Sequence, residues 1–345
     1  MPRYAILALE SFDYILSKTG NALIRYQSEN VIGVIDPTQT GKTSDQVLGW
    51  GGNIPCVSNF NELIKFSPTH LVIGSAPQGG QIDDVSRKEI ISGLNAGCHI
   101  LSGMHTFLND DPELSRLAKK NCVKIKDFRR PPDPPNFPKG TWKNRKFPVL
   151  LIVGSDCDSG KMTTALELVH LLRERNRKVE FIPTGQTGIM LEGNGVAIDA
   201  VISDFMAGEI EYCLDQLPDD TELAIVEGQG ALNNELYSGV TLGLLHGSMP
   251  DYLIFTHEPN RKLDCAGNKF PDLKFLMDSY INLMSPFKDT IYLGINYITL
   301  NLDNSSATKI CQVSKNNYGL PVTDLIRFKD KELIENIEGA IDIWK

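Results

Sequence analysis

Residues 154–164 read GSDCDSGKMTT, between the apolar run Pro148–Val153 and a stretch with apolar residues at helical spacing. A glycine-bearing loop between a strand and a helix suits phosphate. Its backbone amides and the first helical turn face the anion, and the helix dipole adds positive potential. Lys161 supplies a full positive charge, and Gly154 and Gly160 permit a tight turn and close approach. The expected cofactor-binding set is Gly154, Ser155, Asp156, Cys157, Asp158, Ser159, Gly160, Lys161, Met162, Thr163 and Thr164. The loop departs from the common phosphate-loop pattern twice. Five residues, not four, separate the glycines, and Met162 stands where a magnesium-binding hydroxyl is usual. Thr163 or Thr164 must take that role, or no metal is held.

A second chemical signal is the apolar run Leu223–Val226, which ends in Glu227-Gly228-Gln229-Gly230. A carboxylate at the C-terminal end of a strand beside a phosphate loop is well placed for a hard cation. Guanine recognition is not expected, because Asn268-Lys269 is followed by Phe270-Pro271, which breaks the Asn-Lys-x-Asp pattern. In the first half, Asp36 closes an apolar run, as a ribose-binding acid would, but no GxGxxG precedes it. Thr40-Gly41-Lys42-Thr43 mimics the end of a phosphate loop without its first glycine, and is read as a decoy. Gly74, Gly79 and Gly80 fit a ligand-facing turn after a strand, and His105 follows a similar turn.

These residues need a scaffold, and the apolar runs supply one. In the first half Val31–Asp36, His70–Gly74, His99–Ser102 and Val123–Ile125 read as strands. Asn59–Phe66, Asp84–Ala96 and Leu108–Asn121 read as helices between them. In the second half the strands are Pro148–Val153, Val179–Ile182, Leu223–Val226, Tyr252–Phe255 and Thr290–Leu293, with a helix at Lys161–Arg177. Short apolar runs alternating with helices predict parallel sheets with crossover helices. The expected fold is α/β, with two doubly wound parallel-sheet domains, the N-terminal one Rossmann-like and the C-terminal one P-loop NTPase-like. Proline cannot sit inside a helix or a central strand, so FRRPPDPPNFPKG at 128–140 predicts extended, polyproline-like chain. The expected domains are 1–128 and 148–345, joined by a Pro-rich linker at 129–147.

Composition narrows the partners. Of 345 residues, 41% are hydrophobic and 22% charged, as in packed globular domains, and the formal net charge is -9. An acidic surface repels phosphate backbones, so neither nucleic acid nor an anionic membrane is an expected partner. Seven scattered cysteines with no CxxC predict reduced thiols in a cytoplasmic protein. The N-terminal apolar run is cut short by Glu10 and Asp13, unlike a signal peptide. No window of about 18 uncharged apolar residues is found. A homo-oligomer stays open.

The five-residue loop beginning GxD and ending GK resembles the dethiobiotin synthetase group of P-loop proteins. The Glu-Gly-x-Gly turn at 227–230 is similar to the turn where that group's glutamate helps hold magnesium. PTGQTG at 183–188 resembles its substrate-side loop, which implies a substrate role for Gln186, and Asp199 or Asp204 resembles its metal-side aspartate. The metal set so implied is Thr163, Glu227 and Asp199. End to end, the chain resembles a bacterial family catalogued as a domain of unknown function, Rossmann-like at the N-terminus and P-loop at the C-terminus. The resemblance covers nearly all of the chain. It rests on GVIDPTQTGK (33–42), GSAPQGG (74–80), SGMHTFLNDDPEL (102–114), DFRRPP (127–132), GSDCDSGKMTTALEL (154–168), EGQG (227–230), LLHGSMPD (244–251) and HEPNR (257–261). Some members of that family resemble D-glutamate N-acetyltransferases that use acetyl-CoA, which implies acetyl transfer to an acidic D-amino acid.

Acetyl transfer from a thioester to an amine needs a base, donors for a tetrahedral oxyanion, and a cationic grip on the substrate carboxylates. His246 and His257 are the candidate bases, with Glu227 kept beside them as a catalytic candidate. Arg129, Arg130 and Arg261 could hold carboxylates bidentately. Cys157 reads as a small loop residue, since no histidine neighbours it in sequence. Coenzyme A carries a pyrophosphate that a phosphate loop can hold without hydrolysis, so acetyl-CoA is the expected cofactor. The alternatives are ATP with magnesium in a ligase or carboxylase of the dethiobiotin synthetase type, and a non-catalytic nucleotide-sensing module.

Overall fold

The structure, a computed structural model, describes residues 1–75, 82–329 and 331–344. The chain divides into two compact units, Met1–Arg130 with Ile189–Gly193, and Pro131–Gly188 with Asn194–Lys345. Each unit is built on a six-stranded, all-parallel sheet.

In the first unit the strands are β1 (Tyr4–Leu7), β2 (Val31–Ile35), β3 (Cys56–Val57), β4 (His70–Ile73), β5 (His99–Ser102) and β6 (Ile125–Asp127). Their order, β3-β2-β1-β4-β5-β6, is that of a dinucleotide-binding Rossmann sheet. Helices α1 (Lys18–Tyr26), α2 (Ser44–Leu48), α3 (Asp84–Asn95) and α4 (Pro112–Lys120) connect them. The central strand β1 is one that the sequence reading missed. All four of its residues are buried, Ala5 and Leu7 in one core cluster and Tyr4 and Ile6 in another. The expected helix at Asn59–Phe66 is a 3₁₀ helix, Phe60–Phe66, capped by the Asn59 side chain. The last strand lies two residues later than expected and ends at Asp127, whose carboxylate accepts from the amides of Leu108 and Asn109 at 2.9 and 3.0 Å.

Asp36 and the decoy at 40–43 have structural partners. The Asp36 carboxylate accepts from the amides of Glu10, Phe12 and Thr38 and from the Thr38 hydroxyl, at 2.8 to 3.2 Å. Its lone pairs are spent on the chain rather than offered to a ribose. Thr43 caps α2, whose Gln46 side chain returns the bond to the Thr43 amide, so the 40–43 stretch serves as a helix start. Gly79 and Gly80 lie outside the described residues.

In the second unit the strands are β7 (Val149–Gly154), β8 (Val179–Ile182), β9 (Leu223–Val226), β10 (Tyr252–His257), β11 (Ile291–Tyr297) and β12 (Val322–Thr323). The helices are α5 (Lys161–Glu174), α7 (Ser203–Asp215), α8 (Ser238–Ser248), α9 (Leu273–Met284), α10 (Asn304–Tyr318), α11 (Leu325–Phe328) and α12 (Lys331–Ile343), while α6 (Gln186–Glu192) starts in this unit and from Ile189 belongs to the first. The strand order is β12-β11-β10-β7-β9-β8. β7 therefore lies between β9 and β10, and the crevice past its C-terminal end is the switch point where α/β sheets bind ligands. Val149, Leu151 and Val153 point into the main core cluster with Phe255, Leu276 and Tyr280.

The residues expected to form a linker belong to the second unit from Pro131 onward. Two buried glutamates of α7 clasp them. Glu209 accepts from the amide and side chain of Asn136 at 2.7 and 2.9 Å, and Glu211 from the amides of Lys139, Gly140 and Thr141 at 2.6 to 3.0 Å. Proline-rich chain lacks partners of its own, so it takes them from α7 instead of running free.

Candidate phosphate-binding site

The phosphate loop lies between β7 and α5, where the sequence places it. Gly160 is the N-cap of α5 with φ of 83°, a conformation open to glycine, and a side chain there would meet Ile298. As a glycine, Gly160 offers no side-chain cap to α5. Lys161 is buried, at 6% exposure, and its ammonium lies 2.5 Å from the Asp156 carbonyl and 3.3 Å from the Ser159 hydroxyl. The charge is thus folded over the loop, where an incoming anion can exchange for the carbonyl.

The rest of the loop is held by groups from other strand ends. Ser159 Oγ donates to the Asp156 carbonyl at 2.9 Å and lies 2.8 Å from Thr256 Oγ1, and the Ser155 amide donates to the Thr256 carbonyl at 3.0 Å. Tyr280 of α9 donates its hydroxyl to the Gly154 carbonyl at 3.0 Å. Asp156, fully buried, is the loop's main anchor. It accepts from Asn234 Nδ2 at 2.6 Å and the Cys265 amide at 2.7 Å, and pairs with Arg261 Nη2 at 2.6 Å. Arg261 also donates to the Cys157 carbonyl at 2.9 Å and to the Leu263 carbonyl at 3.1 Å. An acid beside a phosphate site is tolerable here because an arginine and two further donors neutralise it. Asp156, Cys157 and Cys265 bring potential ligand atoms within 4.8 Å of one another, but the carboxylate's oxygens are occupied by these donors. Burial pushes the Cys157 thiol up to about 12, consistent with an unreactive loop residue.

Thr164 is buried and donates to the Gly160 carbonyl at 2.9 Å while accepting from Asn296 at 2.8 Å. Thr163 and Met162 are half-buried. Glu227, at 3% exposure, accepts through Oε2 from the amides of Thr184 and Gly185 at 2.9 and 3.2 Å. Burial pushes its carboxyl up to about 7, opposed by those amides and by Lys161. Gly228 follows so close to β7 that a Cβ there would lie 1.7 Å from the Ile152 carbonyl and 3.0 Å from Lys161. This crowding keeps Glu227 beside the loop. Asp199 is exposed on the single turn Ile198–Ala200, and Asp204 is exposed in the first turn of α7, a favourable place for an acid. Gln186 is half-buried at the start of α6, next to Gly185.

The two candidate histidines part company. His257 ends β10 at 6% exposure, with Nδ1 2.8 Å from Ser155 Oγ and its ring against Phe270 and Tyr297. Burial, and then the Arg261 charge, push it down to about 4, so it is neutral near pH 7. His246 is exposed in the last turn of α8 against Phe287. It precedes β10, whose first residue pairs with Leu150, and so belongs to the end of the sheet opposite the loop. Of the arginines, Arg261 already holds a carboxylate, that of Asp156. Arg129 is buried in the first unit and donates through Nε to the Gly103 carbonyl at 2.7 Å, while Arg130 pairs with Asp110 at 2.6 Å and covers Phe107. The sequence reading missed Asn234, Thr256 and Cys265. Thr256 stands at the C-terminal end of β10, whereas Asn234 and Cys265 lie well into the loops that follow β9 and β10, where a linear reading sees no signal.

Comparison with known proteins agrees with this architecture. A protein named D-glutamate N-acetyltransferase from Tritonibacter scottomollicae is 38% identical over 98% of this chain and 98% of its own. One of the same name from a Pseudoalteromonas species is 35% identical over 97% and 98%. The crystal structure of a DUF1611 family protein from Anabaena variabilis superposes with a TM-score of 0.93 at 32% identity, over 98% of this chain and 100% of that one. Residues 37–131 match the Rossmann-like domain, and residues 136–334 the P-loop domain, of a family described as a domain of unknown function. The chain belongs to that two-domain family, DUF1611.

Proposed function

We propose that the chain is an N-acetyltransferase acting on the amino group of D-glutamate or a similar acidic D-amino acid, with the phosphates of acetyl-CoA on the loop 154–164. The observation that carries this reading is the two relatives of that name, which match over nearly the whole chain. The site's chemistry supports it. An uncapped helix start and a buried lysine suit a phosphate group. Met162 replaces the usual metal-binding hydroxyl, the Thr164 hydroxyl is already bonded, and Glu227 retains its proton up to about pH 7. Such a loop holds phosphate better than it drives phosphoryl transfer. When bound, the cofactor supplies the activated acetyl thioester. Lys161 and the amides of α5 anchor it, Asp156 and Arg261 keep the loop in shape, and neutral His257 orients Ser155. A ligase using ATP and magnesium is the second reading, favoured by a carboxylate, Glu227, at the end of the strand next to β7.

The test is thiol release from acetyl-CoA by the purified chain with D-glutamate, L-glutamate or no amino acid, each with and without ATP and magnesium. Release that requires D-glutamate and ignores ATP is the expected result. Release that requires ATP would move the assignment to the ligase, and no release in any arm would sink the acetyltransferase.

A further inference from the structure

Beside the phosphate loop a cavity of about 550 Å³ is lined by His257, Arg261, Lys262, Lys269, Phe270 and Leu273, among others. Its wall is a tight hairpin. Leu263 and Lys269 form an antiparallel bridge, the Asp264 carboxylate accepts from the amides of Ala266 and Asn268, and the Asp264 amide donates to the Asn268 carbonyl. The hairpin is fastened to the phosphate loop through Asp156, which takes both Arg261 and the Cys265 amide. Charge is distributed unevenly in this cavity. Arg261 is neutralised by Asp156, whereas the side chains of Lys262 and Lys269 are exposed and make no hydrogen bond or ion pair among the described residues. Two uncompensated ammonium groups at one cavity stand out in a chain of net charge -9. Apolar surface from Phe270, Pro271 and Leu273 lies beside them.

The geometry points to a second anion subsite, in which Lys262 and Lys269 hold a phosphate group that the ligand carries apart from the one on the phosphate loop. A ligand with two separated phosphate groups on one nucleoside fits this pair of sites. Resting on the acetyl-CoA reading above, the group is the 3′-phosphate of coenzyme A, with the nucleoside against Phe270. Two lysines offer point charges without a planar fork, which suits a phosphate dianion that needs charge more than fixed geometry. The subsite also gives a means of selecting coenzyme A over ATP, which lacks a 3′-phosphate.

The experiment is calorimetric titration of the full chain with coenzyme A, 3′-dephospho-coenzyme A and ADP. It is run on the wild type, on the double variant Lys262→Ala/Lys269→Ala, and on Lys161→Ala. Coenzyme A is expected to bind the wild type at least tenfold tighter than the dephospho form. The double variant should lose that preference and bind ADP as before, while Lys161→Ala weakens all three. Equal binding of the two coenzymes by the wild type would overturn the subsite and leave the acetyl-CoA reading intact. Equal loss of both coenzymes in the double variant would also overturn it, since the lysines would then act on the shared part of the ligand. Binding of ADP with no binding of either coenzyme would overturn both the subsite and the cofactor assignment.

Discussion

Changing Glu227 to glutamine keeps the shape of the side chain and removes its charge, which turns a buried carboxyl into a measurable pH effect. Burial lifts this group from its ordinary 4.5 to about 7, so the folded chain holds the proton more tightly than the unfolded chain. The sign follows from linkage. The stabilisation is fully present below pH 4.5 and is lost as pH rises through about 7. The interval is worth about 3 kcal/mol, a large share of an ordinary domain's stability. No discount for solvent is needed, because the side chain is 3% exposed. Glutamine can still accept from the Thr184 and Gly185 amides through its carbonyl oxygen. Urea unfolding of the full chain at about pH 5 and about pH 8, followed by circular dichroism, gives the pH-dependent change in stability for each form. Other titrating groups contribute equally to both and cancel in the difference. Because pH 5 already lies above the unfolded pKa of 4.5, part of the interval is missed, and the wild type should lose about 2 kcal/mol more than Glu227→Gln across that range. A variant that loses as much as the wild type, within about 0.5 kcal/mol, would refute the argument that this carboxyl is neutral when buried.

Three further outcomes are expected. Asp156→Ala should lower the stability of the second unit by about 2 kcal/mol, because Arg261 and two further donors lose their acceptor. Thermal unfolding measures this, and limited proteolysis should show faster cleavage within 258–272. Gly228→Ala should be severely destabilising, by at least about 3 kcal/mol, since its Cβ would overlap the Ile152 carbonyl, whereas Gly239→Ala, in a helix with nothing within 4 Å, should gain up to about 1 kcal/mol. Chemical denaturation of the pair checks both directions. His257, pushed down to about 4 from its ordinary 6.5, destabilises the fold as pH falls from 6.5 towards 4. Its imidazole resonances in an NMR titration should therefore stay constant between about pH 5.5 and about pH 8.

The phosphate loop was legible because its strand, loop and helix are contiguous, and a strand followed by glycines and lysine has few other uses. What holds the loop was not. Asp156 is tied to Asn234, Arg261 and Cys265, which come from 78 to 109 positions away, and no local pattern announces such a bond. The histidines differ for a reason that strand polarity explains. His257 closes a parallel strand and His246 precedes it, so only the first reaches the ligand end of the sheet. β1 escaped notice because four apolar residues beside acidic ones read as an ordinary chain start, although Ala5 and Ile6 are wholly buried. Asp36 kept the position of a ribose acid while its oxygens went to amides of residues 10, 12 and 38, a use that no spacing rule reveals. Prolines at 131–138 excluded regular structure correctly. They could not show that Glu209 and Glu211 would bind the segment to α7.

That glutamate clasp fixes where the second half can be cut. A fragment begun at Pro148, at the start of the first apolar strand, would strip Glu209 and Glu211 of the amides they hold and uncover that face of α7. One begun at Pro131 would keep both carboxylates satisfied. A gene fusion or exchange that joins this P-loop domain to another partner has its permissive junction ahead of the proline run, near position 131, and the prolines must travel with the domain that follows them.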